Sequence, residues 1–106
     1  MAKPEVIKPG YFVALSLIPG TAPECCYIGL VQILDEYGLR MTQVEWDDQL
    51  EGVKQYSEDI FVPWVNVNSM LVCTHEEPTR RFVRDRAPAW KRKIEAMYRK
   101  AKSSKQ

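Results

Sequence analysis

The stretch CYIGLVQILDEYGLRMTQVEW, residues 26–46, decides the fold. Its first part, residues 26–34, is rich in β-forming side chains and is apolar on both faces of an extended chain. The turn formers Asp35 and Gly38 follow, and the chain returns through the alternating residues 39–46. We therefore predict a β-hairpin with a tight turn, in which Gly38 is free to take a positive φ.

Further strands are predicted on both sides of this hairpin. Residues 11–18 form a β-rich run that Pro19-Gly20 closes. Residues 60–64 form another, whose Pro63 implies an edge, a bulge or a strand end, and residues 70–74 form the last. Four to five short strands favour a mainly β fold class, a small antiparallel barrel.

The connections after the hairpin are read as irregular. Residues 47–59, DDQLEGVKQYSED, are polar and acidic, and we expect a short helix or a mobile loop there. Residues 66–69 are expected to form a single 3₁₀ turn before the last strand.

The pattern changes to helical after His75. We predict a short helix at residues 79–86 and a second one at residues 89–102, begun by Pro88. In the second helix one narrow apolar stripe recurs at spacings of four, three and four; it comprises Trp90, Ile94, Met97 and Ala101.

The charge is divided unevenly along the chain. The 106 residues carry a net charge of +1 and are 45% hydrophobic, which excludes wholesale disorder. Residues 1–79 hold four basic and twelve acidic residues, a balance of −8, whereas residues 80–106 hold eleven basic and two acidic ones, a balance of +9. We therefore divide the chain into an acidic β-barrel domain, 1–79, and a basic helical C-terminal segment, 80–106.

The basic segment is a candidate surface for nucleic acid or for an acidic partner. Guanidinium groups match phosphate oxygens, and unpaired bases stack on aromatic rings. The candidates are Arg80, Arg81, Arg84, Arg86, Trp90, Lys91, Arg92, Lys93, Arg99 and Lys100. The alternatives left open are that these charges face the chain's own acidic segment, another subunit or an anionic membrane surface.

Large apolar side chains predict self-association. Small barrels have little core, and oligomerisation is a common remedy. The interface candidates are Trp46, Trp64, Trp90, Ile94 and Met97. Trp46 and Trp64 have two further readings, as plugs of the barrel's open end or as the lining of a ligand groove.

The sequence offers no constellation for catalysis. Cys25, Cys26, Cys73 and His75 have the side chains that bind zinc, but their spacing is not that of a knuckle, so we predict no metal, no cofactor and no catalytic residue. The odd cysteine count and the absence of an apolar leader favour the cytoplasm. No apolar run approaches a membrane span. We predict a non-enzymatic assembly module that self-associates or binds a protein, with nucleic-acid binding through the basic helix as the alternative.

Two segments resemble motifs of the Sm-like proteins, which include the bacterial Hfq branch. The stretch GLVQILDEYGLRM, residues 29–41, has the Gly and, six residues later, the Asp of the first motif. PWVNV, residues 63–67, lies where the second motif would follow, although Pro63-Trp64 replaces its Arg-Gly. Over residues 27–74 the resemblance implies a small antiparallel barrel of SH3/Sm-like type built from a five-stranded bent sheet, assembly into rings and binding of single-stranded RNA.

Overall fold

Five antiparallel strands form one open sheet, and a helix follows them. The computed structural model describes residues 6–104, with side chains through residue 100. The strands are β1 (Phe12–Leu17), β2 (Cys26–Leu34), β3 (Gly38–Asp47), β4 (Gly52–Pro63) and β5 (Val67–Val72), and the helix α1 is Ala87–Ser104. Their order in the sheet is β4-β3-β2-β1-β5. The mainly β fold class with a C-terminal helix is confirmed.

The β2–β3 hairpin is confirmed, and β2 has the predicted bounds. The side chain of Asp35 fixes the turn, because its Oδ1 accepts the N–H groups of Tyr37 at 2.8 Å and Gly38 at 3.2 Å. Glycine is required at position 38 for a reason other than positive φ, which it does not adopt. A Cβ there would lie 2.4 Å from the carbonyl oxygen of Val62 and 2.8 Å from the ring of Phe61.

The prediction of a short helix or a mobile loop over residues 47–59 is wrong for residue 47, which ends β3, and for residues 52–59, which belong to β4. β4 begins at Gly52 and runs along β3 as an edge strand that ends at Pro63, as this proline implied. Residues 56–58 bulge out opposite Gln43, where the pairing with β3 shifts register. The strand was missed because residues 54–59 are exposed on both faces, so no apolar alternation marks them.

The region around β5 is displaced from its prediction. The 3₁₀ turn lies at Trp64–Asn66, earlier than expected, and β5 begins directly after it at Val67. β5 then pairs with β1 on the side opposite β2.

The C-terminal segment is one continuous helical stretch, so the two separate helices predicted at residues 79–86 and 89–102 are corrected. Residues Arg81–Arg86 wind as a π-helix that passes directly into α1. In a regular α-helix the ring of Pro88 would clash with the carbonyl four residues earlier. The wider π turn ahead of Pro88 is the local departure that accommodates it.

Hydrophobic cores lie on the two faces of the sheet. The first core includes Leu15, Met41 and Trp64. In the second core Phe82, Val83 and Ala87 of the helical segment pack on Ala14 and Val44. The helical segment therefore covers one face of the sheet.

Candidate interaction surfaces

Arg86, predicted to contact a partner, instead clamps the end of the sheet. Its Nε and Nη2 donate to the two carboxylate oxygens of Glu77 at 2.8 and 2.7 Å, and Nη2 also donates to the carbonyl of Val72 at 2.8 Å. The guanidinium lies 4.9 Å from the centroid of the Phe82 ring. Arg86 is therefore committed to contacts within the chain.

Arg84, a candidate for contact with nucleic acid or an acidic partner, lies instead against the chain's own acidic segment, one of the alternatives left open. Its Nε lies 3.9 Å from Oδ1 of Asp48 and 3.6 Å from Oδ1 of Asp85. The same Asp48 oxygen accepts the indole N–H of Trp46 at 3.1 Å. One cation of the basic segment thus turns toward the acidic segment.

Four cations form an array on the outward side of α1, which we call the basic plate: Arg92, Lys93, Arg99 and Lys100. All four are exposed. Within residues 6–104 none of them forms an ion pair. Arg80 and Arg81 are also exposed, before α1 begins, whereas Lys91 is half-buried. The basic plate is the largest part of the predicted cationic set that remains unengaged.

The apolar interface candidates divide between the cores and the surface. Trp64 is 2% exposed and donates its indole N–H to the carbonyl of Asp35 at 2.6 Å, so the structure places it in the first core rather than at a surface. Ile94 is buried, and Trp46 and Trp90 are half-buried against the second core. Only Met97 is mostly exposed.

A patch that the sequence analysis missed lies at the β2–β3 turn and beside β4; we call it the edge patch. Its members, each 50–72% exposed, are Ile33, Tyr37, Phe61 and Val65. Arg40 of β3 pairs in register with both Ile33 of β2 and Phe61 of β4. The backbone N–H of Trp64, the neighbour of Val65, donates to the carbonyl of Tyr37 at 3.0 Å. Apolar residues on a proline-terminated edge strand were the available signal.

A polar network borders the edge patch. Gln32 donates to the hydroxyl of Thr42 at 2.8 Å, and that hydroxyl donates to Oδ1 of Asp59 at 2.6 Å. Arg40 lies 3.6 Å from the other oxygen of Asp59. The network links β2, β3 and β4 where bulges interrupt their pairing, so it fixes the strands that carry the patch.

The cysteines are not brought together with the histidine. Burial raises the pKa of Cys26 to about 12 and also raises the pKa values of Cys25 and Cys73. The hydroxyl of Tyr11 lies 2.8 Å from Nε2 of His75. Within the described part of the chain no group of three or more His, Cys, Asp or Glu side chains is arranged to hold a metal ion.

An apolar cleft of about 620 Å³ separates the β1–β2 connection from the end of α1. It is lined in part by Pro19, Pro23 and Met97. The hydroxyl of Tyr98 donates to the carbonyl of Leu17 at its edge, so the connection and the helix are joined there.

Comparison with known proteins gives no match: no family model, no curated protein and no solved structure resembles the chain closely enough. None of the helices among residues 6–104 is both long enough and apolar enough to span a membrane. The functional assignment therefore rests on the surfaces described above.

Proposed function

We propose that this chain is a non-enzymatic assembly module that associates with further copies of itself through the edges of its sheet. The observation that carries the proposal is the edge patch, four exposed large apolar side chains at one end of the sheet, on β2, in the β2–β3 turn, on the outer strand β4 and directly after it. Large apolar side chains that a small domain leaves exposed together mark an interaction site. Binding of a different protein through the same patch is the second reading of this surface.

Both outer strands are open to pairing. Among the described residues neither β4 nor β5 has a strand on its outer side. In an antiparallel pair, successive residues alternately point their N–H and C=O groups toward the paired strand and away from it. The N–H of Trp64 bonds to the carbonyl of Tyr37, so the N–H and C=O of Phe61, three residues earlier, point away from β3. Asp59 and Pro63 bracket this stretch, and three apolar residues, 60–62, lie between them without a charge to block pairing.

The edge of β5 is open over a similar length. The N–H of Cys73 bonds to the carbonyl of Phe12, so Cys73 points its backbone groups toward β1. By the same alternation, the N–H and C=O groups of Val72 and Met70 point away from β1. Arg86 occupies the carbonyl of Val72, so the unpaired groups centre on Met70.

The two open edges belong to different strands of one sheet, which favours head-to-tail contact. Pairing β4 of one copy with β5 of the next repeats the same contact, and such heterologous contacts close into rings when the rotation permits. The five-stranded sheet supports the Sm-like resemblance over residues 27–74, which implies a bent sheet of the barrel type and ring assembly. The three free cysteines support a cytoplasmic location.

The test is the mass of the full chain in solution, measured by light scattering during gel filtration. We expect an assembly of more than two copies of the 12.3 kDa chain. Phe61→Lys places a charge at the centre of the open edge and should reduce the mass to that of one chain. The matched control is Tyr56→Lys, which changes an exposed aromatic residue on the same strand beyond the edge patch and should leave the mass unchanged.

Two results would overturn the proposal. One is a wild-type chain that stays at 12.3 kDa as its concentration is raised. The other is an assembly whose mass is the same for wild type and Phe61→Lys, because its contact would then lie elsewhere.

A further inference from the structure

The basic plate has a regular layout on α1. Arg92 and Arg99 form one row and Lys93 and Lys100 form a second, and the members of each row are seven positions apart in the sequence. Seven residues span two helical turns, about 10 Å along the axis. Ala96 lies between the rows, so no large side chain rises between the four cations.

The fold turns the plate outward, and among the described residues no carboxylate pairs with it. Ile94 and Ala87 lie on the opposite side of the same helix and are buried. Asp85 lies against Arg84. Glu95 is half-buried, and it forms no ion pair with any of the four plate residues. The charges of the plate are thus left without an ion-pair partner in the described part of the chain.

The plate also lacks the features of two competing surfaces. A surface that reads single strands uses exposed aromatic rings, but Trp90 is half-buried against the sheet and the Tyr98 hydroxyl is bonded to Leu17. A helix that lies in a membrane interface turns its apolar face outward, and the apolar face of α1 is instead packed on the sheet.

We propose that the basic plate binds the phosphate backbone of double-stranded nucleic acid, without dependence on sequence. Four cations on one rigid helix are able to neutralise four phosphates and release their counterions. The balance of −8 over residues 1–79 repels the same polyanion, so contact is confined to the helical side. This activity goes beyond assembly and does not require it.

The experiment measures binding of the full chain to a labelled duplex of mixed sequence by fluorescence anisotropy across a salt series. Four phosphate contacts predict a log–log slope of about −3.6, a loss of affinity of about 150-fold between 50 and 200 mM salt. In the variant Arg92→Gln/Arg99→Gln the slope should fall to about −1.8, a loss of about 12-fold over the same range.

A matched control separates the plate from net charge. Lys8→Gln/Lys54→Gln also removes two positive charges, but from exposed positions on the acidic body. It should keep the wild-type slope, and circular dichroism should show both variants folded. Mass measured in the same solutions distinguishes a failure of assembly from a failure of binding.

The proposal is overturned by any of four results: no duplex binding at 50 mM salt, equal slopes for the plate variant and wild type, an equal loss of slope in the control, or tighter binding of a single strand than of the duplex. Binding to vesicles of anionic lipid with none to the duplex would also overturn it.

Discussion

Replacing Phe82 tests whether the helical segment and the sheet form one cooperative structure. The side chain is fully buried in the second core, where it packs with Ala14 and Val44 of the sheet. Phe82→Ala removes a buried aromatic ring and leaves a cavity, a change that typically costs about 3–5 kcal/mol. Because a domain of this size is stable by only about 5–15 kcal/mol, the loss is a large fraction of the total.

The assay is urea unfolding, combined with hydrogen exchange of peptides from β1 and α1. If the two regions share one core, the free energy of unfolding drops by the same amount for both. The smaller truncation Phe82→Leu keeps a branched apolar side chain in the site and should cost less than Phe82→Ala. The control is Met97→Ala, a truncation of a mostly exposed apolar residue on the same helical segment, with an effect within about 0.5 kcal/mol.

One outcome would refute this reasoning. If Phe82→Ala exposes α1 to exchange while β1 stays fully protected, the helix is an appendage that the sheet does not need. A small loss in both regions would show that the neighbouring side chains refill the cavity.

Two further predictions concern the clamp and a buried thiol. Glu77→Gln removes the charge that holds Arg86 and should lower the free energy of unfolding by about 1–3 kcal/mol in urea titrations, whereas an unchanged midpoint would mean that the clamp adds nothing. Burial raises the pKa of Cys26 from 9.0 to about 12, so as the pH rises this thiol ionises in the unfolded chain before it ionises in the folded one. The stability that the buried neutral thiol contributes is therefore fully present below pH 9 and is lost as the pH rises toward 12. Cys26→Ala should therefore lose less stability than wild type over that range, by up to about 1.4 kcal/mol per pH unit, and parallel pH profiles for the two proteins would contradict this.

The strands that could be predicted are those with an apolar face. β2 was placed at both ends because nearly every residue of Cys26–Leu34 is apolar and turn formers follow it. The first part of β4, residues 52–59, is not predicted, because most of its side chains are exposed to water on both faces of the strand and show no apolar alternation. An edge strand of this kind is specified by its neighbour β3 rather than by its own residues.

The sequence predicts which segment is cationic, but not which of its cations are engaged within the chain. Nothing in the sequence distinguishes Arg86 from Arg92. The two differ in tertiary placement: Arg86 bonds to Glu77 and to the end of β5, whereas Arg92 is exposed to solvent. Likewise Phe61 lies near the end of β4 and Trp64 directly follows that strand, and only the fold buries the tryptophan and exposes the phenylalanine.

The interior strand β1 has consequences for how the sequence can change over time. Val13, Ala14, Leu15 and Ser16 are all fully buried, because each face of the sheet carries its own core. A strand with one face in solvent tolerates substitution at every second position, but in β1 the side-chain volume is constrained at four successive positions. Ala14 in particular is fully buried in the core beneath the helical segment, so a larger side chain there would overpack that core. In a library of all single substitutions this strand would stand out as an unbroken run of intolerance, and related chains should be recognisable by that run even where their surfaces have diverged.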